Sequence, residues 1–147
     1  MRMSIADAAM ATAWIWSNRG TCPKKKVGAC ITTADGRVIA TGYNGSPAGE
    51  PHCTDHGCIL DSWGKCTRAV HAETKALNLA GDKAVGATLY STHFPCESCA
   101  KLAADAGVTK IVYEVDRAPD RRRDLTTRLL HKANIALVRH MQEDSEW

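Results

Sequence analysis

The side chains of this 147-residue chain that could do chemistry are a histidine, a glutamate and two cysteines. His71 and Glu73 form an H-x-E pair, and Cys96 and Cys99 form a C-x-x-C pair directly after Pro95. A neutral imidazole and two thiolates are good zinc ligands, and three protein ligands leave a fourth coordination position for water, as in catalytic zinc sites. A carboxylate beside such a metal can move protons. The pattern therefore predicts a catalytic metal centre made of His71, Cys96 and Cys99, with Glu73 next to it.

The spacing of these residues has a geometric reason. A histidine in the first turn of one helix can meet two cysteines, at positions i and i+3, in the first turn of another. The partial positive charge of a helix N-terminus favours thiolate over thiol. The alternative is an ordinary core histidine with two buried structural cysteines. The chain contains one H-x-E and one C-x-x-C, and this combination favours the metal centre.

Hydrophobic periodicity and turn residues predict the elements that must position these residues. The predicted helices cover 5–19, 69–81, 97–106 and 120–133, and the predicted strands cover 27–33, 37–43, 87–92, 109–115 and 135–139. Asp35-Gly36 predicts a hairpin turn between the first two strands. The order implies one domain over 1–147, a three-layer α/β/α sandwich with a mixed five-stranded sheet.

Composition excludes several classes of protein. Hydrophobic residues make up 44% and charged residues 24%, which is typical of a globular domain and argues against disorder or a coiled coil. The longest apolar stretch, near 8–16, is too short to span a membrane, and no secretory signal is recognisable, so we expect a reducing cytosol. Seven cysteines in that compartment indicate metal binding rather than disulfides. The net charge of +3 permits a phosphorylated ligand without requiring nucleic acid.

Several motifs together carry a resemblance to a known family. In chain order they are CPKKKVGA from Cys22, GYNGSPAG from Gly42, HCTDHGC from His52, CTRAVHAE from Cys66 and THFPC from Thr92. The series resembles the deoxycytidylate (dCMP) deaminase family, including its phage and bacterial competence-operon members. The match covers residues 22–113, and H-x-E…P-C-x-x-C is the known signature of zinc deaminases.

The resemblance implies a cytidine deaminase-like fold and hydrolytic deamination of dCMP to dUMP and ammonia, which supplies the precursor of dTMP. It makes His71, Cys96 and Cys99 the ligands of a catalytic zinc and Glu73 the proton shuttle. Zinc lowers the pKa of its bound water toward about 7. The carboxylate would take the water proton and pass it to ring N3, and in a later step it would protonate the amino group as that group leaves.

The resemblance also implies substrate contacts, regulation and assembly. The substrate-binding residues it indicates, with a basic run that could meet a phosphate, are Lys24, Lys26, Asn44, Gly45, Ser46, Ala72 and Phe94. It implies a homo-oligomer, a hexamer in particular, that dCTP activates and dTTP inhibits, with Mg²⁺ accompanying the nucleotide effectors. The expected location is the cytoplasm, or the host cytoplasm for a viral protein.

Four other cysteines surround 44–65, a segment too long for an ordinary loop. The resemblance implies a second, structural zinc here, and such a segment needs something to compensate its ordering entropy. The expected ligands are Cys22, Cys53, Cys58 and Cys66, with His52 and His56 as alternates. Cys30, in the first strand, is predicted to be a small core residue.

Some residues depart from the family's pattern and leave more than one nucleotide as a candidate substrate. Lys75 stands where the family usually has asparagine, Tyr113 comes earlier than the family's substrate-side tyrosine, and Arg117 could substitute in phosphate binding. A dCTP or 5-substituted dCMP substrate is therefore an alternative. Positive charge in Arg121–Arg123, at the start of a helix, opposes the helix dipole and hints at a role in subunit contact, effector binding or nucleic-acid binding.

Two further functions are alternatives to deamination of a free nucleotide. A deaminase acting on a flipped base in tRNA or single-stranded DNA is favoured by the arginines, but the modest charge and the GYNGSP loop argue against it. A zinc-stabilised binding module without catalysis would have no use for Glu73.

Overall fold

The structure, a computed structural model, describes residues 2–62, 64 and 66–141. The helices are α1 Ile5–Ser17, α2 Cys53–His56, α3 Ala72–Ala80, α4 Glu97–Asp105 and α5 Asp120–Lys132. The strands are β1 Gly28–Thr32, β2 Val38–Tyr43, β3 Thr88–His93, β4 Lys110–Val115 and β5 Ala136–Arg139. All nine predicted elements are present; eight have slightly shorter bounds, and β3 is shifted by one residue. Two short elements were not predicted, the helix α2 within the long irregular segment and a 3-10 helix over Gly81–Ala84.

The five strands form one mixed sheet in the order β2-β1-β3-β4-β5. β1 pairs antiparallel with both β2 and β3, whereas β3, β4 and β5 run parallel. The β1–β2 connection is the predicted hairpin, in which Gly36 adopts a φ of +94°. β3 is joined to β4 through α4, and β4 to β5 through α5, because neighbouring parallel strands need a crossover connection.

Side-chain alternation along the strands divides the core into two layers. On one face of the sheet, α1 packs Met10 and Ala13 against Cys30 and Tyr90. On the other face, α3, α4 and α5 cover Ile31, Leu89 and Ile111. This is the predicted three-layer α/β/α arrangement, and Cys30 is fully buried as expected, so that burial raises the pKa of its thiol to about 11. None of the helices in the described part of the chain has the length and apolar character to cross a bilayer.

Near the predicted metal centre, α3 begins three residues later than predicted, at Ala72, whereas α4 begins at Glu97 as predicted. His71 and Cys96 are the N-cap residues of α3 and α4, with extended backbones at ψ 149° and 165°, rather than first-turn residues. Only Cys99 lies in a first turn. Neither N-cap side chain caps its own helix, so both are free to point toward a shared site.

Gly42 controls how closely α3 approaches the sheet. A Cβ atom at this position would lie 2.3 Å from the carbonyl oxygen of Ala72 and 2.9 Å from the amide nitrogen of Ala76. We expect Gly42→Ala to destabilise the protein by about 2–3 kcal/mol, because backbone rather than a flexible side chain must move. The melting temperature should fall by about 5–10 °C. Activity should fall as well, since the displaced helix begins beside His71 and carries Glu73.

Thr41→Val provides the control, because position 41 alternates with Gly42 and lies toward the opposite face of the sheet. It should leave the melting curve nearly unchanged. If Gly42→Ala melts like the wild-type protein, the close approach of α3 to β2 does not constrain this residue.

Candidate active site

The N-terminal ends of α3 and α4 meet at the predicted metal centre. The Sγ atoms of Cys96 and Cys99 lie 3.3 Å and 3.4 Å from Nδ1 of His71. All three donor atoms fall within 4.8 Å of one another. The Nδ1 nitrogen is therefore the one available for a metal, and three converging N and S donors match the ligand set of a catalytic zinc.

The protonation of the two thiols also fits a divalent cation. Hydrogen bonds from Cys99 and from His71 lower the pKa of Cys96 to about 4 despite its partial burial. The hydrogen bond with Cys96, burial and the Glu73 carboxylate together raise the pKa of Cys99. The first thiolate thus forms readily, and the second forms only beside a compensating positive charge, which zinc would supply.

Glu73 is buried in the first turn of α3, with its carboxylate held between two groups. Ser91, from the central strand β3, donates a hydrogen bond of 2.5 Å to Oε1. Oε2 lies 3.5 Å from the Sγ atom of Cys99. One carboxylate oxygen is therefore anchored to the sheet while the other faces the metal ligands. Sequence analysis missed Ser91, and the only available signal was a hydroxyl residue in an otherwise buried strand.

Removal of this anchor should reduce turnover. We expect Ser91→Ala to lower kcat by about 10- to 100-fold, the usual effect of losing a hydrogen bond to a charged group. KM should change little, because Ser91 is fully buried and contacts the carboxylate rather than the cleft. Steady-state kinetics on dCMP, the substrate that the family resemblance predicts, with the zinc content measured in parallel, would check it. An unchanged kcat at full zinc content would show that Glu73 needs no anchor.

His71, Glu73 and Cys96 line a cleft of about 1060 Å³, which is ample for a nucleotide-sized ligand. Of the substrate-binding residues predicted from the sequence, Lys24, Asn44, Ala72 and Phe94 line this cleft. Ala72 is fully buried beside Glu73, and Phe94 is braced by an edge-on contact with the ring of Tyr113, 5.0 Å between centroids.

Two other residues of the GYNGSP loop, Gly45 and Ser46, make contacts within the protein instead. Gly45 pairs with Val70 through two backbone hydrogen bonds, and the Ser46 hydroxyl donates to the carbonyl oxygen of Pro51 at 2.6 Å. Neither residue is among those that line the cleft. The Lys75 ammonium donates to the carbonyl oxygen of Ser46 at 3.4 Å, and so ties this loop to α3.

Asn44 orders the chain before β1. Its Oδ1 atom accepts from the amide of Val27 at 2.8 Å, and its Nδ2 atom donates to the carbonyl oxygen of Lys25 at 2.7 Å. The side chain is buried. Asn44 therefore fixes the basic segment that borders the cleft.

A second cysteine cluster lies beside the cleft. The sulfurs of Cys53, Cys58 and Cys66 lie within 4.8 Å of one another. Cys22 is buried, and its charge contributes to the raised pKa of Cys53, but its sulfur is outside the 4.8 Å group. The structure therefore brings three of the four predicted ligands directly together and holds the fourth nearby.

The two histidines named as alternate ligands lie elsewhere. Nδ1 of His52 lies 3.0 Å from the hydroxyl of Thr21, and His56, the last residue of α2, is exposed. Neither belongs to the group of three sulfurs.

Comparisons with known proteins agree with this geometry. Residues 3–115 match the sequence profile described as "Cytidine and deoxycytidylate deaminase zinc-binding region". This chain belongs to that family. The site described above contains a histidine and two cysteines that fit the zinc named in the family's description.

Individual relatives extend the comparison. The ComE operon protein 2 of Bacillus subtilis is 41% identical over 118 residues, which are 78% of this chain and 61% of that protein. The deoxycytidylate deaminase of Mycobacterium phage D29 is 40% identical over 108 residues, 66% of this chain and 84% of the phage protein. This chain thus spans about three fifths of the Bacillus relative.

A solved structure resembles the whole described fold. The dCMP deaminase of cyanophage S-TIM5, crystallised in complex with dCMP and dUMP, superposes with a TM-score of 0.78 at 32% identity. The superposition covers 95% of this chain and 99% of the cyanophage chain. The shared architecture therefore includes the sheet and the helices that position the candidate site.

Proposed function

We propose that this protein is a zinc-dependent hydrolase that deaminates dCMP to dUMP and ammonia. The observation that carries the proposal is the convergence of His71, Cys96 and Cys99 beside the buried carboxylate of Glu73, where His71, Glu73 and Cys96 line a nucleotide-sized cleft. Relatives that share the family and the fold are named deoxycytidylate deaminases, and one is crystallised with dCMP and dUMP.

Different residues would bind the metal and transfer the protons. A zinc ion bound by His71, Cys96 and Cys99 would supply Lewis-acid activation of water at neutral pH. Glu73 accepts one proton of the attacking water at Oε2 and delivers it to ring N3. It then takes the second proton from the oxygen newly bonded to C4 and passes it to the amino group, so that the C4–N bond breaks and ammonia leaves. Because Ser91 holds Oε1, the carboxylate keeps one orientation through both transfers. A single carboxylate suffices since it alternates between base and acid.

The walls of the cleft orient the base and exclude water. Ala72 and Phe94 border the catalytic groups, and both are buried. A small side chain next to a rigid aromatic ring leaves a flat space suited to a pyrimidine. We assign these two residues to base binding and Asn44 to ordering the adjacent basic segment.

A second zinc would hold the segment around α2. The three sulfurs of Cys53, Cys58 and Cys66 give most of a tetrahedral thiolate site, and Cys22 is the nearby fourth donor. The role is structural, because four protein ligands leave no position for water. Metal analysis of the purified protein should return two zinc ions per chain. A Cys58→Ser variant should return one ion and keep the catalytic zinc, whereas one ion in the wild-type protein would overturn the second site.

The decisive test of the activity compares substrates side by side. Ammonia release should be measured from dCMP, dCTP, deoxycytidine and a cytosine-containing oligonucleotide at equal concentrations. We expect the highest kcat/KM with dCMP. Preference for dCTP or for the oligonucleotide would replace the proposed substrate with one of the alternatives, and no release from any of them would refute a cytosine deaminase.

Regulation and assembly stay predictions from the family resemblance. They comprise activation by dCTP, inhibition by dTTP, Mg²⁺ with these effectors, a hexamer and a cytoplasmic location. Sedimentation of the protein with and without dCTP, and assays with each effector, would test them.

A further inference from the structure

Cys99 is the more deeply enclosed of the two cysteines in the candidate active site. It is 1% exposed, whereas Cys96 is half-buried. Water therefore cannot solvate the charge of a thiolate at Cys99, and a buried charge is costly unless the protein supplies hydrogen bonds to it. The groups around this sulfur therefore decide how well it serves as a metal ligand.

Three polar side chains besides Cys96 lie around the Sγ atom of Cys99. Nδ1 of His71 lies at 3.4 Å, Oε2 of Glu73 at 3.5 Å and Oγ1 of Thr74 at 3.5 Å. A metal bound to His71 takes the lone pair of Nδ1, which then carries no proton, and an ionised carboxylate only accepts. Of these three neighbours, the Thr74 hydroxyl is the one that can donate a hydrogen bond when Cys99 is a thiolate.

The sulfur of Cys96 has a donor of a different kind. The backbone amide of Cys99, in the first turn of α4, donates to the Sγ atom of Cys96. The start of its own helix therefore stabilises a thiolate at Cys96. A thiolate at Cys99 depends instead on the side chain of Thr74, which belongs to the neighbouring helix α3.

The hydroxyl of Thr74 does not make the usual contact of a helical threonine. A threonine inside a helix commonly bonds the carbonyl oxygen four residues before it, as Thr12 of α1 does with Ala8 at 2.8 Å. Thr74 lies inside α3, three residues after His71. In the part of the chain that the structure describes, its hydroxyl bonds the sulfur of Cys99 and no carbonyl oxygen of its own helix. The side chain is thus turned across to α4 and the metal site.

We propose that Thr74 positions the catalytic metal site by donating a hydrogen bond to the thiolate of Cys99. This inference rests on the proposed function, because it takes Cys99 as a zinc ligand. Hydrogen bonds to metal ligands fix their orientation, and losing one commonly lowers metal affinity by about 10- to 100-fold. The same bond offsets part of the thiolate's charge, which lies close to the Glu73 carboxylate and would otherwise repel it.

Thr74→Val tests the hydrogen bond, because it keeps the shape of the side chain and removes the hydroxyl. We expect the zinc dissociation constant of the catalytic site to rise by about 10- to 100-fold. Competition with a chromogenic chelator measures the affinity for each bound zinc ion, and the ion missing from Cys96→Ala identifies the catalytic site. Thr74→Ser restores a hydroxyl and should bind zinc within about threefold of the wild-type protein.

Thr126→Val is the matched control. Thr126 is fully buried on α5, and its Oγ1 atom has no hydrogen-bond partner among the described residues. The same substitution there should leave zinc binding unchanged, because no hydrogen bond is lost. If Thr74→Val fails to fold, Thr74→Ala carries the test with the same expected loss. An unchanged zinc dissociation constant in a folded variant without the hydroxyl, or an equal loss in Thr74→Ser, would overturn the inference.

Cobalt substitution gives a readout that packing alone would not move. Co²⁺ bound by thiolates has a charge-transfer absorption whose energy depends on the electron density of the sulfurs, which hydrogen bonds to the ligands tune. Without its donor, the Cys99 sulfur holds its electrons less tightly, so the band of Co²⁺-loaded Thr74→Val should move to longer wavelength. The band of Thr126→Val should coincide with that of the wild-type protein. A band that stays in place in Thr74→Val would refute a hydrogen bond to the thiolate.

Metal binding and deamination are measured separately, so this inference and the proposed function can fail separately. If the wild-type protein binds the catalytic zinc but releases no ammonia from any substrate, the proposed function fails. The zinc affinities of Thr74→Val and Thr74→Ser then still decide the inference. If the wild-type protein deaminates dCMP and Thr74→Val binds zinc equally tightly, the inference fails alone. A wild-type protein that holds no zinc at His71, Cys96 and Cys99 refutes both.

Discussion

Glu73→Gln is expected to keep its zinc and to lose turnover of dCMP by about 10²- to 10⁴-fold, the usual contribution of a general acid–base group. The amide preserves the size of the side chain and can still accept from Ser91, but it cannot carry a proton between water, ring nitrogen and amino group. Substrate binding should persist, so KM should change far less than kcat. Ammonia release and zinc content, measured on the same preparation, would test both parts.

Glu97→Gln is the control for this variant. Glu97 also borders the cleft, but its carboxylate pairs with Lys101 at 3.3 Å on the exposed surface of α4. The same chemical change there should leave kcat within about twofold, since exposed pairs of this kind contribute little. Wild-type turnover in Glu73→Gln would remove the carboxylate from the mechanism.

Cys96→Ala is expected to abolish activity by releasing the catalytic zinc. Cys96 is the thiol whose pKa is lowered to about 4, so it supplies the thiolate that forms most readily at this site. Without it only His71 and Cys99 remain, and the affinity for zinc should fall by several orders of magnitude. Zinc content should drop by one ion per chain, and the melting temperature of the metal-loaded protein should fall as well.

Cys30→Ala separates loss of a metal ligand from loss of any buried cysteine. Cys30 packs between α1 and the sheet, away from both sulfur clusters. Its removal should cost about 1 kcal/mol of stability and leave the zinc content unchanged. Full zinc content and activity in Cys96→Ala would rule out Cys96 as a ligand.

Much of the site was predictable because its chemistry depends on residue types at short spacing. Imidazole, thiolate and carboxylate are recognisable in HAE and PCESC without coordinates. The helices and strands around them follow from local periodicity, which is why all nine predicted elements are present. The start of α3 was less accurate, because whether a residue is an N-cap depends on where its side chain must point; the helix was predicted from residue 69 and begins at Ala72.

Contacts between distant parts of the chain were not predictable. Ser91 reaches Glu73 from another element, 18 residues away, and nothing in its local sequence indicates a partner. The same holds for Gly42, whose missing side chain matters only because α3 lies against it.

The sequence by itself determined the metal-binding chemistry, the order of the elements and the presence of an excess of basic residues. Tertiary structure alone decided which basic residues share a space. Arg121, Arg122 and Arg123 are consecutive residues of the same type, yet Arg123 bonds Asp116 while Arg122 lines a small pocket with Lys25. The physical reason is that charge acts through distance in space, and only folding sets the distances between segments that lie far apart in the chain.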